Sequence, residues 1–238
     1  MLPMFYKNIT ALRAEHHQDI CVEPLTDHSF AGQTNAIVLG VSEFSPALVQ
    51  YPIVFVKSGD KVTPAAVTGL RDQQNLFVDG KGQWSEGYIP AYVRRYPFVV
   101  AAAGDKQLTV CIDEGYSGIN RGQRGEPLFE GGQHSAYLKR VIGFLEGFEA
   151  EFSRTRNFCL QLVELDLLEE TRVNMSMTQA EQEDFALSGF LAVSRDKLAK
   201  LPADTLKQLQ LDGGLELIYR HLASLSRFDD LFKRIVRT

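Results

Sequence analysis

Residues 84–98 read Trp84-Ser85-Glu86-Gly87-Tyr88-Ile89-Pro90-Ala91-Tyr92-Val93-Arg94-Arg95-Tyr96-Pro97-Phe98. These fifteen residues hold one Trp, three Tyr, one Phe, two Pro and an adjacent Arg pair. Aromatic rings supply large, stiff contact area, and guanidinium groups stack on rings or fork onto carboxylates. The run is therefore either the seam of a core or a recognition surface. Ile89, Tyr92 and Val93 suit packing, and Pro90 and Pro97 fix the chain as it enters and leaves a strand or turn. Trp84, Tyr88, Arg94 and Arg95 remain as candidate ligand-binding residues. An arginine projecting into a concavity lined by Trp84 and Tyr88 would hold an anionic group of a small molecule or a partner peptide. One arginine is expected to pair internally and the other to meet the ligand.

Working outward, residues 98–103 and 107–112 form the best hairpin in the sequence, turning at Gly104-Asp105. Upstream, strands are expected near 20–22, 36–39, 51–56, 62–70 and 75–78, with a short helix over 42–50 capped by Ser42. Ser58-Gly59-Asp60-Lys61 and Asp79-Gly80-Lys81-Gly82 supply turns between them. Close spacing of short strands predicts an antiparallel sheet rather than a βαβ array.

Downstream the character changes. Residues 113–133 carry six glycines with Arg121 and Arg124 and read as a long functional or mobile loop. From Ser135, Leu138, Val141, Leu145, Phe148 and Phe152 fall on one helical stripe. A second helix is expected over 158–168, a strand over 172–177, a strand or apolar connection over 185–193, and helices over 195–201, 203–211 and from 217 onward. The fold class is α+β: an antiparallel sheet mainly from the N-terminal half, covered and extended by helices from the C-terminal half. Residues 1–133 form the strand-rich part and 134–238 the mainly helical part of one integrated domain.

Bulk properties narrow the function. A net charge of −5 over 238 residues argues against a nucleic-acid binder working through a broad basic face. No apolar run approaches the roughly 20 residues a membrane helix needs, and the N-terminus lacks a secretory pattern. The expected location is the cytoplasm. Cys21, Cys111 and Cys159 are widely spaced, which fits a reducing compartment and excludes structural zinc.

Catalytic motifs fail one by one. Gly115-Tyr116-Ser117-Gly118 lacks the second glycine of a nucleophile elbow, and the glycines of 113–133 match neither a dinucleotide nor a phosphate loop. Lys81 and Arg124 stand where calcium loops need acids. His16 and His17 have no acidic or Cys partner at metal spacing and read as surface residues, while His221 reads as a structural or surface histidine. No metal and no cofactor is implied.

Three further groups of residues carry a resemblance. They are Tyr51-Pro52-Ile53-Val54-Phe55, the segment Gln74-Asn75-Leu76-Phe77-Val78-Asp79 running to Trp84, and Gly189-Phe190 with Gly214-Leu215-Glu216-Leu217-Ile218-Tyr219-Arg220-His221-Leu222-Ala223-Ser224-Leu225. With residues 88–98 they resemble the SapC family of bacterial proteins. The resemblance implies association with surface-layer loci and with genes for outer-membrane receptors and flavin-dependent halogenase-like proteins. It assigns no residue a role. The leading reading is a non-catalytic cytoplasmic binding or accessory protein using the aromatic–arginine stretch and the Gly-rich loop. The alternatives are an enzyme drawing on Tyr88, Arg94, Arg95, Asp113 and Glu114, and a structural homodimer subunit.

Overall fold

The computed structural model describes residues 3–85, 87–103, 107–175 and 185–236. In chain order the strands are β1 (Ile9–Ala11), β2 (Cys21–Val22), β3 (Ala36–Val38), β4 (Ile53–Ser58), β5 (Lys61–Val67), β6 (Phe98–Ala103) and β7 (Gln107–Asp113). They continue as β8 (Ile119–Asn120), β9 (Glu126–Pro127), β10 (Phe129–Glu130), β11 (Gln133–His134), β12 (Leu168–Met175) and β13 (Phe185–Val193). The helices are α1 (Ala14–His17), α2 (Phe44–Ala47), α3 (Ala91–Arg94), α4 (Ala136–Glu164), α5 (Arg195–Ala199), α6 (Ala203–Leu211), α7 (Gly214–Ser224) and α8 (Arg227–Val236).

The largest sheet has the order β12-β13-β4-β5-β3, with every pairing antiparallel. It takes strands from both sides of residue 133. The expected 98–112 hairpin is present as β6–β7, and β1 extends it to three strands. Its turn at Gly104-Asp105 lies outside the described residues, as do residues 176–177 of an expected strand. The architecture is α+β.

Two buried clusters organise these layers. Phe44, Tyr51, Phe55, Phe158, Leu162 and Ile218 belong to the larger one, beside the five-stranded sheet. Ile20, Phe98, Ile112, Leu128, Leu138 and Leu145 belong to the other, beside β6–β7. Helix α4 serves both, through Leu138 and Leu145 in its first half and Phe158 and Leu162 in its second. Two expected helices are therefore one, of 29 residues, about 43 Å long. No Pro interrupts 152–158, and the helix ends at Glu164, just before Asp166 takes a φ of 50°. Ser135 caps it as expected, its hydroxyl accepting from Leu138 N–H at 3.1 Å.

Other expectations are corrected. Ser42 caps nothing; a 3-10 turn over Val41–Glu43 precedes α2, and the Glu43 carboxylate accepts from Gly40 N–H at 2.7 Å instead. Residues 75–78 form a single bridge, Val78 to Trp84, because the Asn75 side chain engages Ala31 O at 3.0 Å and Phe77 N–H at 2.9 Å. Residues 113–133 are no free loop. They contribute β8 and β9, which flank β2, and the β10–β11 hairpin. His17 is buried, with Nδ1 2.9 Å from Arg13 O and Nε2 3.5 Å from Glu114.

His221 holds a seam of the main sheet. The single registered pair between β13 and β4 is Leu191 with Phe55. Antiparallel pairing sets Val193 opposite Ile53, and the imidazole of α7 stands between them. Nδ1 donates to Ile53 O at 2.8 Å, while Nε2 accepts from Val193 N–H at 3.1 Å. These partners fix the neutral tautomer. Burial depresses its pKa to about 4, against a weaker opposing effect of the Ile53 carbonyl.

Candidate functional site

The aromatic–arginine stretch divides into a buried seam and a lined hollow. Pro90 starts the short helix α3, which ends on Arg94, and the Tyr96–Pro97 peptide after it is cis. Tyr96 stacks on Phe30 at 4.3 Å and meets Tyr6 and Tyr116 edge-on. Trp84 donates from Nε1 to Tyr51 Oη at 3.2 Å, and Tyr51 Oη donates to Tyr88 O at 2.5 Å. Trp84 thus ties two segments of the larger cluster together.

The two arginines part company. Arg94 is exposed; its Nε donates to Ile89 O at 2.9 Å and Nη2 to Tyr88 Oη at 3.2 Å. Tyr88 Oη in turn donates to Glu43 at 2.8 Å, and burial together with that carboxylate pushes the phenol up to about 12. Arg95 is 7% exposed, its guanidinium 3.9 Å from the Tyr92 ring centre, 4.8 Å from that of Phe148 and 5.5 Å from that of Tyr6. Its Nε–H is buried without an acceptor, and among the described residues no carboxylate pairs with it. Burying an ion costs several kcal/mol after relaxation, whereas a desolvated cation–π contact returns about 2 kcal/mol.

Arg95 lines a hollow of about 390 Å³ between the stretch and the first turns of α4. Arg94 and Arg140 add two more guanidiniums, against one lining carboxylate, Glu23. Glu23 is itself engaged by Arg124 Nε at 2.9 Å. Phe98, Tyr137 and Phe144 supply ring walls. A second hollow of about 280 Å³ adjoins it along α4, and Arg94 and Phe144 line both. The second also holds Tyr88, Glu43, Glu151 and the glycines Gly143 and Gly147. Trp84 lines neither hollow.

Of the candidate residues from the sequence, Arg94 and Arg95 line the first hollow and Tyr88 and Arg94 the second; α4 adds Arg140, Phe144, Gly143 and Gly147, which the sequence reading did not single out. A signal was present, because two glycines four residues apart are costly inside an otherwise strong helix.

Asp113 and Glu114, the acids considered for catalysis, line neither hollow. Asp113 is fully buried and accepts from the backbone N–H groups of Lys7, Asn8 and Gly115 at 2.8–3.0 Å, so it holds the N-terminal segment to β7. All three cysteines are free and buried, and burial raises the thiol pKa of Cys111 and Cys159. Among the described residues no group of three or more His, Cys, Asp or Glu could hold a metal ion, and no helix is long and apolar enough to cross a membrane.

The molecule is thus an α+β chain carrying a ring-walled, cationic hollow beside a long helix. Residues 12–231 match the family model described as SapC, and the chain belongs to the SapC family. Comparison with curated proteins and with solved structures yields no match.

Proposed function

We propose that this SapC-family chain is a non-catalytic binding or accessory protein, working in the cytoplasm beside a surface-layer or outer-membrane uptake and modification system. Its ligand is a small molecule or peptide bearing a carboxylate or similar anion, held in the hollow of Arg94, Arg95 and Arg140, with Tyr88 positioning Arg94. One observation carries this reading: Arg95 is buried with no carboxylate partner among the described residues, and with Arg94 and Arg140 it lines a hollow that has one lining carboxylate, Glu23. A volume of about 390 Å³ falls in the range of small-molecule sites. The rings offer a face to an apolar body, and the guanidiniums offer forked donors to the anion.

Isothermal titration of the full chain with benzoate, phenylacetate and inorganic phosphate tests it. Saturable binding that falls at least tenfold in Arg140→Ala and Arg95→Met is the expected result. Absence of binding for every anion, or binding by both variants as tight as the parent's, overturns it.

A further inference from the structure

We infer that two copies of this chain pair through β12, in an antiparallel two-fold contact centred on Thr171. β12 is one edge of the five-stranded sheet and runs for eight residues, whereas β3, at the other edge, has three. Glu169, Glu170 and Arg172 on it are exposed. Among the described residues, the β12 backbone bonds to no strand or loop besides β13. The one side chain that engages it is its own Thr171, whose hydroxyl donates to Glu169 O at 3.3 Å. A free edge presents a row of N–H and C=O groups that a further strand completes.

Native edges of this length are commonly blunted by a bulge or a proline. Here the bulge lies one strand further in. Thr171 pairs with Phe190 and Val173 with Leu187, so β13 carries the extra residue, and its Gly189 takes a φ of 85°. β12 itself stays regular and contains no proline.

Charge selects a second copy as the occupant and fixes the register. Side chains alternate across the pleat, and directly opposed residues of an antiparallel pair share a face. A two-fold pair therefore sets one residue opposite its own copy. An axis at Glu169, Glu170 or Arg172 makes like charges meet, which is unfavourable. An axis at Val173 opposes no charge on β12 to another. An axis at Thr171 sets Glu170 opposite the partner's Arg172, and symmetry repeats the pair. Among the described residues neither Glu170 nor Arg172 has an ion pair within its own chain, so both charges are available to the second copy.

Sedimentation equilibrium of the full chain tests this and should give a dimer. Glu170→Arg or Arg172→Glu alone turns both cross-strand pairs into like charges and should weaken association at least tenfold. The double variant restores opposite charges and should recover the parental constant. Circular dichroism should stay at parental values in all three, because both side chains are exposed. Thr171→Cys places a thiol opposite its own copy, with Cα atoms about 4.5–5.5 Å apart, within disulfide reach. Mild oxidation should then link the dimer covalently, whereas Glu169→Cys, four residues out of register with its own copy, should not link. The native cysteines are buried and do not compete. If a charge reversal misfolds, the Thr171→Cys cross-link decides alone. A chain that stays monomeric at tens of micromolar, a dimer indifferent to both single reversals, a folded double variant as weak as the singles, or cross-linking as ready at Glu169→Cys as at Thr171→Cys overturns the inference. None of these outcomes bears on the anion hollow.

Discussion

Two buried polar side chains, His221 and Arg95, sit in regions built on opposite terms. At the His221 seam every ring nitrogen has a backbone partner, and the imidazole completes a sheet. At Arg95 the cation is wrapped by rings, its Nε–H has no acceptor, and a hollow opens beside it. A satisfied buried polar group specifies architecture. One left without a partner in a native structure calls for a specific explanation, such as an ordered water, an ion or a ligand.

The contrast breaks most readily at the seam. His221→Ala strands Ile53 O and Val193 N–H and leaves a cavity, so urea unfolding should show a loss of about 3–5 kcal/mol. A loss below 1 kcal/mol would show that the strands close without the ring.

The same residue gives a pH dependence. The unfolded chain binds a proton on His221 near pH 6.5, the folded chain only near 4. Between these values the unfolded state holds more protons, so the contribution is fully present above pH 6.5 and is lost as pH falls toward 4. It amounts to about 3 kcal/mol across that window. His221→Gln should flatten that part of the stability curve; a curve of unchanged slope would refute the assignment.

Arg95 should answer in the opposite sense. Replacing a buried cation that rings, and no carboxylate, surround by an apolar chain of similar volume is neutral to stabilising, by up to about 2 kcal/mol. Arg95→Met should therefore fold as well as the parent while losing anion binding. A destabilisation of more than 2 kcal/mol would make Arg95 a structural residue like His221.

The smallest effect belongs to the bare helix face. Gly143→Ala should raise unliganded stability by up to about 1 kcal/mol, read from the shift in denaturation midpoint, because the added methyl group meets nothing.

The sequence made parts of both regions legible. Rings and arginines in 84–98 marked the seam and two arginines of the hollow, since composition alone reports large apolar area and fixed charge. Val and Ile runs marked the strands, and Leu138 to Phe152 marked the first half of α4. What stayed hidden depends on tertiary closure. No local pattern distinguishes a buried His17 from an exposed one, because its partners are the Arg13 backbone and the distant Glu114. Arg140 and Phe144 read as ordinary helix residues until α3 is laid against them. Residues 113–133 read as loop because two-residue strands leave no periodicity to detect.

The His221 seam also orders events during synthesis. The ring joins Val193 to Ile53, and its link to Ile53 spans 168 positions of the chain. A ribosome that has delivered β4 and β5 must still produce most of the remaining polypeptide before the imidazole can lock that edge. Until then the edge of β4 stays open to stray strands, a hazard of long-range β pairing. The final helices are therefore the latch of a sheet begun near the opposite terminus, and a nascent chain halted before α7 carries that sheet unlatched.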